Sequence, residues 1–549
     1  MHRLTIKNYL RGPYTLTDDA GVETLFETPV PHKWLPGDSV LPTTGERVSC
    51  AAKQPSLVGI VDFLHRTGQG FTGRGVPLYL FHPLCSSWPP FLVSARTKPA
   101  ANQLAVVSFE HWDGKWPRGG IQRILGAVGN VDVEKAALRL RDGVGTIPFP
   151  PMDSLPVVDL ASYKTETWDC VCNIDPDGCE DVDDVFAWRT TADGTTEFAI
   201  AIAAVAEWVQ PGTPLDTVAA AKGTSVYENT RVVDPMLPTI VSERAASLRA
   251  DGVARPTLGL VWTVAAAATV AAAAAAAAPR WEKHMLTVQH AFTYENVLRN
   301  AAVAVRLPEL LTKVLGVAVG DDPHLWVEAA MVEYNARAGA ILAAAGQGLL
   351  RVHAAAADTV TAATAAALAE ATGCRELAWR GATAGRYASA ADEVAVAAGH
   401  AGLGRALYAH ASSPLRRYAD LVNQRILLAA AGGSLSPLVA ATEGLKTPAV
   451  LNARATAVKA YERDVWFLEH LRTDAITTVE GFCLKRRKGA EGEVVQWTVY
   501  VPEWRRSIRC ATAEGVEFAV GQKVCVRAYC DLRAPIWSNR LVCSLVPVE

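Results

Sequence analysis

The chain lacks an excess of positive charge. Its 549 residues include 53 lysines and arginines against 56 aspartates and glutamates, which gives a formal net charge of −3. Nucleic-acid-binding proteins that rely on their whole surface carry a clear basic excess. Any nucleic-acid site in this chain must therefore be a local positive channel within a near-neutral protein.

Long hydrophobic runs are also missing. The first residues, Met-His-Arg-Leu-Thr-Ile-Lys, contain no apolar core of the kind that signal peptides have. The alanine-rich tract Ala265–Ala278 is shorter than the roughly 20 residues that a membrane span needs. Its alanine content favours a helix. The sequence therefore predicts a protein without membrane attachment.

The chain shows no cysteine framework. Its eleven cysteines are scattered and odd in number, which suits reduced thiols in the cytoplasm or nucleus better than disulfides. Cys170 and Cys172 form a C-x-C pair with Cys179 nearby, but no second pair lies at the spacing of zinc ligands. We therefore expect a reducing compartment, and the spacing disfavours a zinc site.

The remaining pattern divides the chain into three regions. Residues 1 to about 150 read as short β-strands separated by Gly, Pro and Asp, and residues from about 476 to 549 alternate like strands again. Between them, strand-like segments are followed by long helical patterns such as Ser412–Ala431. The sequence predicts an α+β multidomain protein with small β-barrels at both ends and a mixed α/β centre.

One stretch of the central region concentrates negative charge. Asp175, Asp181, Asp183 and Asp184 lie within ten residues, and neighbouring carboxylates raise each other's pKa unless a cation neutralises them. An EF-hand is excluded because Gly178 comes too early and no glutamate follows at the twelfth position. Apolar neighbours argue against a solvated turn, so we expect a site for Mg²⁺, which prefers carboxylate oxygens.

A second stretch carries opposing charge. In the run Tyr408–Asp420, Pro414 is expected at a helix start and Ser413 at its N-cap. Arg416 and Arg417 would then lie in the first turn, where an arginine is favourable if it faces an anion such as a phosphate. Carboxylates that bind a metal and an arginine that binds phosphate together describe metal-assisted phosphodiester hydrolysis.

These two stretches resemble a known family. The run Ile174-Asp-Pro-Asp-Gly-Cys-Glu-Asp-Val-Asp-Asp184 is similar to the I-D-P-x-G-C-x-D-I-D-D signature of the RNB catalytic domain of the ribonuclease II superfamily. The run Tyr408–Asp420 resembles its Y-x-H-x-T-S-P-I-R-R-Y-x-D signature. Weaker similarities to other family motifs occur at Trp116–Gly119, Pro211–Asp216, Lys222–Tyr227, Met236–Leu248 and Val327–Asn335.

The resemblance implies an order of domains. It places cold-shock (OB) β-barrels at residues 1–60 and 61–150, a mixed α/β RNB catalytic domain at 151–475 and an S1-like OB β-barrel at 476–549. It is closest to the eukaryotic exosome-nuclease branch, although no PIN domain is recognisable in the chain. An exosome-like complex is implied only by this resemblance, and we expect a monomer.

The resemblance also implies roles for single residues. The four aspartates would hold Mg²⁺, or Mn²⁺ in its place, Arg416 would contact the scissile phosphate, and Tyr294 would stack on the 3′-terminal base. Tyr418 and Asp420 would hold the arginine segment, Arg417 would do so and contact RNA, and His410 would act from behind the site. On the C-terminal barrel, aromatic and basic side chains suit RNA binding: Arg486, Arg487, Trp504 and Arg505.

Four departures from the family concern substrate handling. The family's H-I-A-D-V element is here Ala201-Ile-Ala-Ala-Val205, and Gln424 stands in place of a histidine. The segment between Tyr294 and Glu328 is short, and the Ala265–Ala278 tract falls where the family has strands. We expect a Mg²⁺-dependent 3′→5′ exoribonuclease that degrades single-stranded RNA to 5′-nucleoside monophosphates. A catalytically inactive RNA-binding protein, and a scaffold without RNA contact, are the alternatives.

Overall fold

The structure is a computed structural model of the whole chain. It describes residues 2–6, 8–9, 12, 14–18, 23–26, 33–41, 47–49, 56–64, 69–152, 155–229, 231–265, 278–353, 369–370, 385–433, 448–471, 475–487, 496–504, 506–512, 516–532, 534 and 539–547. Almost the entire Ala265–Ala278 tract lies outside these residues, so its expected helix is not addressed. The chain divides into two compact units, Met1–Thr146 with Lys459–Glu549, and Ile147–Val458.

The first unit begins with a five-stranded sheet in the order β3-β2-β1-β4-β5. Apolar side chains that alternate with polar ones along β1 form the buried face, where Leu4 and Ile6 contact Trp34. The strands are β1 (His2–Ile6), β2 (Tyr14–Thr17), β3 (Glu23–Phe26), β4 (Ser39–Val40) and β5 (Arg47–Ser49).

A closed five-stranded barrel follows in the first unit. Its strands are β6 (Ser56–Asp62), β7 (Leu78–Pro83), β8 (Phe91–Ser94), β9 (Gln103–His111) and β10 (Arg118–Ala127). They close in the order β10-β8-β7-β6-β9, with β8 and β10 parallel, which is the strand order of an OB barrel. Gly59 is required here, because a Cβ would lie 2.3 Å from the carbonyl oxygen of His82. The expected boundary between residues 60 and 61 falls inside β6, whose partners are β7 and β9.

Helix α1 (Val131–Asp142) comes after this barrel. The Asn130 side chain caps it by accepting hydrogen bonds from the backbone N–H groups of Asp132 and Val133. Gly143 ends the helix in a left-handed conformation with φ of 65°.

The second unit is built on a six-stranded mixed sheet in the order β17-β16-β13-β12-β11-β18. Its central strands are almost continuously apolar because both faces are covered. The strands of this unit are β11 (Cys170–Asp175), β12 (Asp184–Thr190), β13 (Thr196–Ala203), β14 (Val226–Glu228), β15 (Arg231–Asp234), β16 (Arg255–Val264), β17 (Arg280–Leu286), β18 (His290–Thr293), β19 (Leu349–Val352) and β20 (Arg386–Ser389).

Helices pack around this sheet and supply much of the core. They are α2 (Pro214–Lys222), α3 (Ala301–Leu315), α4 (Pro323–Ala345), α5 (Glu393–Ala398) and α6 (Tyr418–Ala431), with shorter helical turns at Val205–Glu207, Ile240–Ala245, Val297–Arg299 and Ala401–Leu403. Helix α7 (Pro448–His470) follows, and the division between the two units falls within it.

The first unit ends in a second closed barrel. Its strands are β21 (Thr477–Arg487), β22 (Gln496–Val501), β23 (Arg506–Thr512), β24 (Lys523–Cys530) and β25 (Leu541–Pro547), closed in the order β21-β22-β23-β25-β24. Closed β-barrels at β6–β10 and β21–β25 and a mixed α/β region are thus present, as predicted, whereas the described strands β1–β5 form an open sheet and not the barrel expected at residues 1–60. No helix within the described ranges has both the length and the apolar character needed to cross a membrane.

Candidate active site

The four aspartates lie on one connection between paired strands. Asp175 ends β11 and Asp184 begins β12, and these strands are antiparallel neighbours with Cys172 opposite Phe186. The connection therefore returns on itself, and Gly178 makes the turn with φ of 76°. Strand β18 pairs with the other side of β11, in parallel, so that Tyr294 follows at the same end of the sheet.

A cavity of about 950 Å³ opens at this end. It brings together most of the predicted site residues from three separate parts of the second unit: Asp175, Asp181, Asp183, Asp184, Tyr294, Arg416 and Arg417. Other side chains of the wall had been assigned no role from the sequence: Tyr227, Arg231, Val327, Met331, Asn335, Tyr408 and Ser412. The cavity thus combines a group of acidic side chains with three arginines, Arg231, Arg416 and Arg417.

Asp183 and Arg416 form the contact between the two walls. The Asp183 carboxylate is buried and accepts hydrogen bonds from the Leu415 N–H at 2.9 Å and from Arg416 Nε at 3.4 Å. Burial raises the pKa of Asp183 to about 8, although the Arg416 guanidinium and the Leu415 N–H act in the opposite direction. A carboxylate with this pKa can accept and return a proton near neutral pH.

Asp181 has a different partner. Its Oδ2 accepts a hydrogen bond from Tyr227 Oη at 2.9 Å, and its Oδ1 accepts one from Cys179 Sγ at 3.6 Å. Burial, followed by the Asp181 charge, raises the pKa of Tyr227, so its phenol remains a donor. Tyr227 ends the Lys222–Tyr227 motif. Sequence reasoning had noted that motif without assigning this side chain a contact.

Asp175 and Asp184 are the unsatisfied pair. The Oδ2 atom of each is shielded from solvent and has no hydrogen-bond partner. Burial raises the pKa of Asp175 to about 6, with the Asp181 charge adding to the rise and Arg416 opposing it. Burial and the charges of Asp175 and Asp183 raise the pKa of Asp184 well above its ordinary value. Such carboxylates are costly to bury in the charged form unless a cation binds them.

The donor set fits a hard divalent cation. Two unpartnered carboxylate oxygens, with two further carboxylates beside them, match the oxygen ligands that Mg²⁺ and Mn²⁺ prefer. Within the described residues, however, no three His, Cys, Asp or Glu side chains are already gathered closely enough to hold a metal ion. Asp181 is instead directed to Tyr227, and Asp183 to Arg416.

The setting of Arg416 corrects the expected helix. Helix α6 begins at Tyr418, not at Pro414, and Arg416 and Arg417 precede it. Residues Ser413–Arg417 form a turn in which the Ser413 carbonyl accepts from the N–H groups of Arg416 and Arg417. Arg417 also pairs with Thr224 in a β-bridge, which draws the backbone out of the helix. Arg416 therefore reaches the cavity from a turn that precedes the helix, and the helix N-terminus does not position it.

Buried side chains hold this turn. The Asp420 carboxylate accepts from the Ser413 N–H at 2.8 Å and from Arg417 Nη2 at 2.7 Å. Arg416 Nη2 donates to Ser413 Oγ at 3.1 Å, while 45% of the Arg416 side chain stays exposed. Tyr418 points away from the cavity and donates to Asp216 at 2.7 Å.

His410 lies behind the cavity and is not part of its wall. Its Nδ1 lies 2.9 Å from Tyr387 Oη, and its carbonyl accepts from Asn423 Nδ2 at 2.8 Å. Burial, and then the Arg417 and Arg351 charges, lower its pKa well below the ordinary value. A neutral, half-buried imidazole outside the cavity lining can orient its neighbours.

Tyr294 is not an open platform in this structure. Its ring lines the cavity, and the His324 imidazole stacks on it with ring centres 4.0 Å apart and planes inclined by 8°. Burial, with the charges of Asp184 and Asp175, raises the pKa of Tyr294 to about 12. Sequence reasoning did not single out His324, because nothing in the chain links a residue of a helix start to a tyrosine 30 positions earlier.

The residues predicted on the C-terminal barrel divide into three cases. Trp504 is buried, with its ring against Trp466 and Phe467, so it offers no free stacking face. Arg486 is exposed and lies 3.5 Å from Glu517. Arg505 and the side chain of Arg487 lie outside the described residues.

The Gln424 substitution has a structural account. Its Oε1 accepts from the Ala206 N–H at 2.9 Å and its Nε2 donates to the Ala203 carbonyl at 2.7 Å. The amide thus satisfies the backbone on both sides of Ala204, where the family has an aspartate. Neither Ala204 nor Gln424 lines the cavity.

Comparisons with known proteins agree on one family. The profile of the RNB domain matches residues 163–302 and 314–433. Among curated proteins, the probable exosome complex exonuclease RRP44 of Caenorhabditis elegans is 28% identical over 239 residues, 41% of this chain and 24% of that protein. Exosome complex exonuclease RRP44 of Homo sapiens is 30% identical over 196 residues, 34% of this chain and 20% of that protein. The matched part is thus a quarter or less of each relative's length.

Solved structures share the fold. The apo form of Mycoplasma genitalium RNase R covers 99% of this chain and 100% of its own, with a TM-score of 0.68 and 16% identity. Yeast Ssd1, described as a pseudonuclease, covers 96% of this chain and 81% of its own, with a TM-score of 0.67 and 13% identity. At these identities the likeness concerns the fold alone.

Proposed function

Since this chain belongs to the RNB family, we propose that it is a hydrolytic 3′→5′ exoribonuclease that degrades single-stranded RNA to 5′-nucleoside monophosphates with Mg²⁺ as its cation. The observation that carries the proposal is the pair of unpartnered Asp175 and Asp184 oxygens in a cavity that also holds Arg416. A cation and a phosphodiester would together satisfy both charges.

The carboxylates divide the work in this proposal. Asp175 and Asp184 would hold the cation, which when bound supplies charge neutralisation and a water of lowered pKa. Asp183, which lies beside Asp184 and is held by the Leu415 N–H and Arg416, would accept the proton of the attacking water. Asp181 remains oriented by Tyr227.

Arg416 supplies the positive charge from the protein. Its guanidinium is held by Asp183 and Ser413 and is still 45% exposed. A phosphate oxygen in the cavity would receive its remaining N–H groups, which steadies charge that develops as the phosphodiester breaks. Tyr294 would contact the terminal base from the same wall.

The direct test is digestion of single-stranded RNA that carries a label at either the 3′ or the 5′ end. Wild type with Mg²⁺ is expected to release the 3′ label first as a mononucleotide. Asp183→Asn should lower kcat by a factor of about 10²–10⁴. Asp177→Asn, an exposed aspartate of the same loop, is the matched control and should be neutral. Equal rates for wild type and Asp183→Asn would remove the proposal.

A second candidate is an RNA-binding protein without hydrolysis. Two observations favour it: the described acidic side chains are not already gathered around a metal position, and a pseudonuclease shares the fold. It predicts RNA binding that weakens steeply with salt, together with no mononucleotide release at any Mg²⁺ or Mn²⁺ concentration. The same digestion and a binding titration separate the two candidates.

For the domains we propose the cold-shock, cold-shock, RNB and S1-like order, with the first boundary placed before β6 at residue 56. OB-type strand order in the two closed barrels supports it. We propose a monomer that acts in a reducing compartment, without membrane attachment. Human RRP44 is named as an exosome complex exonuclease. Co-purification of this chain with other protein subunits would test whether it also joins such a complex.

A further inference from the structure

The stacked pair of Tyr294 and His324 is built from two rigid supports. Tyr294 follows β18 directly, where the Thr293 N–H donates to Asn296 Oδ1 at 2.8 Å and fixes the turn. His324 lies in the first turn of α4, and the Asp322 carboxylate that caps this helix accepts from the His324 N–H at 2.9 Å and lies 3.1 Å from its Nδ1. The stack therefore joins two fixed backbones.

Helix α4 continues the same face into the cavity. His324, Val327, Met331 and Asn335 follow at helical spacing on one side of the helix, and the last three line the cavity. Asn335 anchors the far end by donating to Ser412 Oγ at 3.1 Å. His324 is thus the outer end of a cavity wall that begins beside the arginine turn.

The pair is distinguished by a close stack at the cavity, where Tyr294 lines the wall; the similarly close stack of Trp466 and His470, at 4.2 Å and 12°, lies on helix α7 and does not line the cavity. The rings of Tyr294 and His324 are almost parallel, at 4.0 Å and 8°, although 65% of the His324 side chain is exposed. Another histidine–aromatic pair in the same unit, exposed His290 and half-buried Phe292, is looser, at 5.9 Å and 29°, and neither ring lines the cavity. Close parallel stacking is the arrangement by which proteins hold nucleobases.

We propose that His324 is a positioning residue of the nucleobase site: it stacks on Tyr294, fixes the plane of that ring, and so sets how tightly the cavity holds the base of an RNA substrate. The inference deepens the proposed function and rests on it for the identity of the ligand. His324 itself touches no reacting atom, so its effect is expected on substrate affinity and not on the chemical step.

Substitutions at both rings test this. His324→Ala is expected to raise the Kd for single-stranded RNA in EDTA, and the KM in Mg²⁺, by about 3- to 10-fold, the usual worth of an aromatic pair. The kcat should stay within about twofold of wild type, because the carboxylates are untouched. His324→Phe should restore affinity, and His290→Ala, the matched control, should leave it unchanged.

A double-mutant cycle separates positioning from a general structural effect. If His324 acts through Tyr294, His324→Ala should add nothing in a Tyr294→Ala background. Additive losses, or a His324→Ala protein that binds RNA like His290→Ala, would overturn the inference.

Failure of the proposed function leaves a different signature. RNA binding in EDTA requires no hydrolysis. If the substitutions of Tyr294 and His324 are non-additive in RNA affinity but the protein never cleaves RNA, this inference stands and the proposed nuclease activity falls. Normal RNA cleavage, together with unchanged RNA affinity in His324→Ala, would keep the nuclease and overturn this inference. No binding to RNA at all would overturn the inference.

Discussion

Two groups of buried carboxylates in the second unit contrast sharply. Asp216 is almost fully buried and accepts from Tyr418 Oη at 2.7 Å, Arg425 Nη2 at 2.8 Å and the Gly212 N–H at 2.8 Å. Asp175 and Asp184 each keep an Oδ2 that is shielded from water and unpartnered. Burial alone therefore does not identify a functional carboxylate; Asp175 and Asp184 combine an unpartnered oxygen with a position on the cavity wall.

The difference has an energetic meaning. A saturated carboxylate recovers its lost hydration inside the protein and serves the fold. An unsaturated one raises the free energy of the folded state until a ligand supplies the missing charge. The unpartnered carboxylates of the acidic cavity thus lower the stability of the metal-free fold. The Asp216 network, in contrast, connects α2 with α6 and stabilises both helices.

The largest effect should come from breaking the saturated group. Asp216→Ala leaves Arg425 buried beside Tyr418 without its anion, and removal of one partner of a buried pair typically costs about 3–5 kcal/mol. We expect the free energy of unfolding, measured by urea titration, to fall by about that amount. A loss below about 1 kcal/mol would mean that saturation does not mark the structural carboxylate.

The opposite sign is expected in the cavity. Asp175→Asn or Asp184→Asn removes a buried charge that lacks a partner, so the metal-free protein should become more stable, by about 1–2 kcal/mol. Mg²⁺ should then no longer raise its Tm. Destabilisation of both variants in EDTA would equate these residues with Asp216 and end the comparison. Asp177→Asn, on the exposed part of the loop, again serves as the control.

The pH dependence of stability follows from the same charges. The folded-state pKa values of Asp175, about 6, and Asp183, about 8, are raised above the ordinary 3.8. Stability from these groups is therefore complete at acid pH and lost as pH rises through 6 and 8. In EDTA the Tm should fall between about pH 5 and 9, and Mg²⁺ should raise it more at pH 8 than at pH 5. A Tm that rises over this range would contradict the assignment.

How far the sequence predicted this site depends on whether a contact is local. The four aspartates share one connection between strands, so their spacing alone indicated the cluster. Arg416 lies more than two hundred positions away from Asp183, and only the long family signature linked them. The helix start at Pro414 was wrong because the bridge between Arg417 and Thr224, a tertiary contact, overrides the local capping pattern.

Other features left no readable trace in the chain. Trp504 was expected to stack on RNA, but Trp466 and Phe467 cover its ring, and a sequence pattern does not tell which face of an aromatic is free. The motif that ends in Tyr227 was noticed, although its contact with Asp181 needed the geometry of the loop. Closure of the barrels depends on pairings such as β23 with β25, which are distant in sequence.

The smallest expected effect probes the boundary between the two groups. Asp181 lines the acidic cavity, yet its carboxylate accepts a hydrogen bond from Tyr227 Oη at 2.9 Å. Its oxygens are therefore better supplied with donors than those of Asp184 and less well than those of Asp216. Tyr227→Phe keeps the ring and removes only this hydrogen bond, which should lower the free energy of unfolding in EDTA by about 1 kcal/mol. Because the freed carboxylate then resembles Asp184, Mg²⁺ should restore more stability to Tyr227→Phe than to wild type. Calorimetry in EDTA and in Mg²⁺ measures both quantities, and an equal Mg²⁺ effect in the two proteins would show that Asp181 takes no part in holding the cation.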